Sequence, residues 1–159
     1  MTPTVITFVC HGNICRSPMA EFIMKDLVQK AGLSDTISIT SVAATTEEIG
    51  HDMYPPAQRM LTRKGIPFTH RRARLFTDSD YQKSDYIVCM DTENLEDMAY
   101  LTHGDSEKKV SLLLDWAGEH REVADPWYTG DFERTYQDVL LGCQALLKAV
   151  TRDWGVARD

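Results

Sequence analysis

Long apolar runs are missing from this 159-residue sequence. No stretch reaches the ~18 apolar residues that a membrane-crossing helix needs. Met1-Thr2-Pro3-Thr4 has no basic region and the apolar run Val5 to Val9 is short, so the chain does not open as a secretory leader does. Cysteine is sparse: Cys10, Cys15, Cys89 and Cys143 show no repeated spacing. At this chain length that pattern argues against a disulfide framework and fits free thiols in a reducing cytoplasm. Cations are outnumbered, 17 Lys and Arg against 24 Asp and Glu, for a formal net charge of −7. Such a balance argues against non-specific nucleic-acid binding, which depends on Lys and Arg neutralising phosphates. Any anion site must therefore be a local concentration of donors within a negative field. No Pro-, Gly- or Ser-rich linker and no repeat divides the chain, so residues 1–159 are read as one domain.

What is present alternates. Val5 to Val9 is a β-branched run and reads as a buried strand. A helix follows, with Ser17 as its cap, Pro18 in its first turn and Gly32 at its stop. Ile37 to Ala44 reads as a second strand, and Pro55-Pro56 opens a helix ending near Gly65. Tyr86 to Met90 is a third strand, followed by a short helix capped by Thr92. Val110 to Leu114 is a fourth strand, and a final helix runs from about Asp131 to Ala149. Strands alternating with helices predict an α/β domain: a parallel sheet with helices on both faces. Ligands of such sheets bind beyond the carboxyl ends of the strands, where the loop after Val9 lies.

That loop is Cys10-His11-Gly12-Asn13-Ile14-Cys15-Arg16-Ser17. A thiol with an arginine six residues later is a short pattern, and short patterns recur by chance. Its context adds weight. Gly12 and Asn13 both tolerate left-handed backbone, which can aim successive N–H groups at one anion. The helix that follows presents its positive dipole end, and Arg16 offers a planar fork for two phosphate oxygens. The same field favours a thiolate at Cys10, and Ser17 can hydrogen-bond to it. The plainer reading makes Cys10 a buried thiol at a strand end. A phosphoryl transfer also needs a proton for the leaving oxygen, and Asp125 is the candidate. Asp125 equally fits a turn-initiating Asp-Pro pair. Trp127 and Tyr128 beside it suit either a pocket wall for a flat ring or ordinary packing.

Three separated blocks carry a resemblance: Val9–Glu21 (VCHGNICRSPMAE), Asp85–Leu95 (DYIVCMDTENL) and Asp125–Phe132 (DPWYTGDF). With Tyr136, Gly142, Cys143 and Leu146 in the last helix, nearly the whole chain resembles the low-molecular-weight protein tyrosine phosphatase family. The resemblance implies a four-stranded parallel sheet in the order 2-1-3-4, with the phosphate loop between strand 1 and helix 1. It also implies hydrolysis of phosphotyrosine in proteins through a phosphocysteine, releasing inorganic phosphate without metal or organic cofactor. By position it makes Cys10 the nucleophile, Arg16 the phosphate clamp and Asp125 the acid and then the base. His11, Gly12, Asn13, Ile14, Cys15, Arg16 and Ser17 bind phosphate. Ser17, Asn13, Ser41 and His70, with Asp91 nearby, support the loop. Ile14, Glu47, Trp127 and Tyr128 form the substrate pocket. Cys15 resembles a second loop cysteine able to close a reversible disulfide with Cys10, or it simply packs.

The chain departs from the family pattern in places. His11 stands where a small or aliphatic residue is common, and Glu47 where many eukaryotic members carry a large specificity residue. Tyr54-Pro55-Pro56 resembles the bacterial pattern, and one residue is inserted after His70, in Arg71-Arg72-Ala73-Arg74. Protein arginine phosphatases resemble the loop but carry Thr at the position of Ile14. A thioredoxin-coupled arsenate reductase needs a relay of two further thiols, and a phosphate-binding module needs no nucleophile. A flavin carrier of flavodoxin type would want a Ser- and Thr-rich loop. Glu93, Glu96, Asp97, Asp105 and Glu107 read as a solvated acidic face. A monomer or weak dimer is expected, with the exposed aromatics near Tyr128 as its contact.

Overall fold

A computed structural model describes residues 2–158. Four strands, β1 (Thr4–Cys10), β2 (Ile37–Ala43), β3 (Tyr86–Cys89) and β4 (Val110–Leu112), form one sheet in the order β2-β1-β3-β4. Every pairing is parallel. Around the sheet lie α1 (Arg16–Lys30), α2 (Pro55–Arg63), α3 (Asp78–Lys83), α4 (Thr92–Leu101), α5 (Pro126–Thr129) and α6 (Phe132–Arg158). The α/β fold and strand order expected from the sequence are those found. No helix among the described residues is long and apolar enough to cross a membrane.

The pleat explains the two cores. Ile6, Phe8 and Cys10 point to one face of β1, into a cluster with Met19, Ile23 and Leu146. Val9 points to the other, with Val42, Ile87 and Met98. Phe8 and Val9 are fully buried, as a central parallel strand requires. Gly142 of α6 is needed because a Cβ there would run into the Leu113 side chain. The chain leaves β1 toward β2 on one side and reaches β3 on the other. The end of β1 is therefore the switch point of the sheet, and Cys10 is its last residue.

Element ends differ from the reading in instructive ways. Cys15, not Ser17, stands at the start of α1, because Ser17 turns its hydroxyl toward Cys10. Asp91, not Thr92, caps α4 through a reciprocal pair with Asn94. β4 stops at Leu112, and Leu113–Ala117 tighten into a 3₁₀ turn. The final helix begins as expected but continues to Arg158, and the short α3 and α5 were not read at all. Asp105 is not part of a free acidic face. Its carboxylate accepts from Tyr81 Oη and from the backbone of Lys109 and Val110.

Candidate active site

The loop from Cys10 to Ser17 is tied from outside. The Cys10, His11 and Ile14 carbonyls accept backbone N–H groups from Ala44 (2.9 Å), Thr45 (3.1 Å) and Tyr54 (2.8 Å). In a trans peptide the next N–H points opposite to the carbonyl, so those of His11, Gly12 and Cys15 turn inward. Asn13 takes the left-handed backbone that lets the loop close, at φ 60°. Gly12 does not share that conformation. A Cβ there would sit 3.0 Å from Glu48 Cγ, so close approach is its constraint.

Cys10 Sγ lies 3.1 Å from Ser17 Oγ and 3.4 Å from the Ser17 backbone N–H. Both donors sit at the start of α1, where helix-end N–H groups favour an anion. Arg16 is buried to 2% exposure. Its Nη1 donates to Asp91 Oδ2 at 2.7 Å and to the Val123 carbonyl at 2.9 Å. Its Nη2 reaches Asp125 Oδ2 at 3.4 Å. Burial opposes the guanidinium charge, but Cys10, Asp125 and Asp91 outweigh it and hold Arg16 above its usual pKa. Asp125 does cap a turn: its Oδ1 accepts the Trp127 N–H at 3.0 Å and starts α5. Its Oδ2 remains on the Arg16 side.

A buried polar chain holds the loop. Asn13 Nδ2 donates to Ser17 Oγ (2.8 Å) and Ser41 Oγ (3.0 Å), and Ser41 Oγ donates to Glu21 Oε1 (2.6 Å). Asn13 Oδ1 accepts from Arg71 Nη2 and from the Arg74 backbone. His70, expected in this network, lies outside it. It is exposed and pairs with Asp52 at 2.6 Å. Arg71, the next residue, is the one that meets Asn13. Asp52 steadies Arg71 by accepting its backbone N–H at 3.1 Å. Burial opposes ionisation of Asp52, but the bonds from His70, Arg71 and Met53 prevail and hold it below the usual carboxylate range. Sequence reading missed Glu21, Arg71 and Asp52, although the arginine-rich run Arg71-Arg72-Ala73-Arg74 was a signal.

The cavity above the loop is lined by Cys10, Ile14, Cys15 and Arg16 below and by Glu47, Glu48, Trp127 and Tyr128 at the rim. Tyr54 packs against Trp127 with the rings tilted by 52° and their centroids 4.8 Å apart. His11 Nε2 and Glu47 Oε2 are 2.7 Å apart, and His11 Nδ1 is 3.4 Å from Glu93. Partial burial opposes a charge on His11, but these carboxylates prevail and raise its pKa. Burial, then the negative charges of Cys10 and Asp125, push the Cys15 thiol far above its ordinary range. Cys89 in β3 and Cys143 in α6 are pushed up by burial as well, and all four cysteines are free. His11, Glu93 and Asp97 also approach one another closely enough to share a cation.

Known proteins of the same build are numerous. Residues 5–156 match the family model described as low molecular weight phosphotyrosine protein phosphatase. The low molecular weight protein-tyrosine-phosphatase YfkJ of Bacillus subtilis is 37% identical over 150 residues, covering 93% of this chain and 96% of that protein. The human low molecular weight phosphotyrosine protein phosphatase is 36% identical, covering 90% and 93%. The crystal structure of YfkJ superposes with a TM-score of 0.92 at 35% identity, over 96% of this chain and 98% of that one. A Drosophila arginine phosphatase superposes with a TM-score of 0.84 at 29% identity, over 91% and 96%. The chain belongs to the low-molecular-weight phosphotyrosine protein phosphatase family.

Proposed function

We propose that this protein hydrolyses phosphotyrosine in proteins with Cys10 as nucleophile, in the cytoplasm, as a single-domain enzyme. The observation that carries the reading is the juxtaposition at the loop: a thiol 3.1 Å from Ser17 Oγ, with buried Arg16 and partly exposed Asp125 lining the same cavity. Phosphate enters the loop on inward N–H groups and the Arg16 fork. Cys10 Sγ attacks phosphorus, the bond from phosphorus to the tyrosyl oxygen breaks, and Asp125 gives that oxygen its proton. Water then attacks the phosphocysteine. Asp125 takes a proton from the water, the sulfur leaves as a thiolate stabilised by Ser17, and inorganic phosphate departs. Asn13, Ser41, Glu21 and Arg71 act as positioning residues, and Asp91 orients Arg16.

Ile14 and the rings of Trp127 and Tyr128 offer an apolar slot, which favours an aromatic ester over a phosphorylated guanidinium. A thiol relay to thioredoxin has little support, since Cys89 and Cys143 are buried on other elements. The test is steady-state hydrolysis of p-nitrophenyl phosphate and a phosphotyrosine peptide with a chelator present. Activity is expected in the reduced wild type and absent in Cys10→Ser. Activity that survives Cys10→Ser, or that needs metal, contradicts the reading, and preference for a phosphoarginine peptide would redirect it.

A further inference from the structure

The cavity has two unlike walls. Glu47 and Glu48 stand on one, and Trp127 and Tyr128 on the other. The Glu47 side chain is 66% exposed, and Trp127 and Tyr128 are 51% and 84% exposed. Among the lining residues the cationic side chains are Arg16, buried at the foot, and His11, already bonded to Glu47. Glu48 is likewise held by a histidine, His51, at 2.6 Å. Beyond His11 the acidic surface continues through Glu93 and Asp97 of α4. The foot of the cavity thus attracts a phosphate dianion, while its rim repels any other negative charge nearby.

Building on the phosphatase reading, we propose that this rim selects phosphotyrosine flanked by arginine or lysine. A flanking guanidinium meets a carboxylate on one wall or an exposed ring face on the other. A flanking Asp or Glu finds no such partner on either wall beyond the histidines already bonded to Glu47 and Glu48, and meets the field of a chain whose formal charge is −7. Both attractions are solvent-exposed, so each is modest, and together they amount to about 5- to 20-fold in kcat/KM.

The experiment compares three phosphotyrosine peptides that differ only in having Arg, Ala or Glu on both flanks, with p-nitrophenyl phosphate as the common reference. The expected order is Arg above Ala above Glu, with most of the spread in KM. It should collapse in ~1 M NaCl, where the screening length is only about 3 Å. Glu47→Gln with Glu48→Gln should bring the Arg-to-Ala ratio close to one. Trp127→Leu should lower that ratio by a smaller factor. Equal kcat/KM for the three peptides overturns the proposal, as does a ratio that persists in the double Gln variant. Loss of all activity, on p-nitrophenyl phosphate too, would instead overturn the phosphatase reading beneath it.

Discussion

Two polar regions meet at one cavity and are built on opposite plans. Below lies the chain Glu21, Ser41, Asn13, Ser17 and Cys10, in which Asn13 and Ser17 are fully buried and each link has a partner. Above lies the rim of His11, Glu47, Glu48, Trp127 and Tyr128, where solvent reaches the charges and rings. A buried network is rigid, and losing one partner leaves others unpaired at full cost. An exposed rim exchanges its partners with water and is screened by salt. On the proposed mechanism, bond-making chemistry belongs to the lower region and substrate choice to the upper. Arg16 sits where the two meet, held tightly by Asp91 at 2.7 Å and loosely by Asp125 at 3.4 Å. The tight partner fixes the fork, and the loose one is the group to which the proposed mechanism gives the proton transfer.

Damage below should therefore be severe and damage above selective. Asp125→Asn is the largest expected effect after loss of the nucleophile, about 10²- to 10³-fold in kcat on a tyrosyl phosphate. The loss on p-nitrophenyl phosphate should be smaller, because that leaving oxygen needs less protonation. Equal losses on the two esters would remove Asp125 from proton transfer. Asn13→Ala forces an alanine to φ 60° and strands Arg71, Ser17 and Ser41. The expected cost is about 2–3 kcal/mol in denaturant unfolding, together with weaker inhibition by inorganic phosphate. Arg71→Gln should lower kcat and weaken phosphate inhibition by a few-fold while leaving the secondary structure intact, with partial rescue in Arg71→Lys. Unchanged phosphate inhibition in Arg71→Gln would reduce that residue to packing.

The smallest effects belong to the surface pairs and appear as pH dependence. His11 has a raised pKa in the folded protein, so its pairing with Glu47 and Glu93 stabilises fully below the unfolded value of about 6.5. That contribution is lost as pH rises through the folded value. The Tm gap between wild type and His11→Gln should therefore be widest near pH ~6 and narrow toward pH ~9. Asp52 carries the opposite sign. Its lowered pKa contributes stability above the ordinary carboxylate range, lost as pH falls through the folded value. Asp52→Asn should flatten the acid limb of a Tm profile, and an unaltered limb would detach Asp52 from the Arg71 support.

The same contrast explains what the sequence disclosed. The alternation of strands and helices and the loop after β1 were legible from local signals: a β-branched run, a turn and a helix start. The strand order, and the roles expected of Cys10, Arg16 and Asp125, came from the family resemblance instead. His70 pairs with Asp52 and Arg71 with Asn13, and nothing local says which of these two neighbours points inward. Glu21 and Asp52 were invisible for a related reason, since their partners Ser41, His70 and Arg71 come from distant segments. Ser17 shows competition at a single residue. Its type and position suit a helix cap, yet its hydroxyl goes to the thiol of Cys10. Thr92 lost the cap of α4 to Asp91, whose carboxylate also binds Arg16, so that helix start serves the site as well as the helix.

The most direct test of the whole account is to trap the intermediate. Wild type and Cys10→Ser would be mixed with excess phosphotyrosine peptide, quenched within the first turnover, and digested for mass spectrometry. The account predicts one phosphoryl group on the peptide that contains Cys10 in the wild type, and neither adduct nor turnover in Cys10→Ser. Rapid turnover with no adduct on Cys10, or turnover that continues in Cys10→Ser, would contradict it.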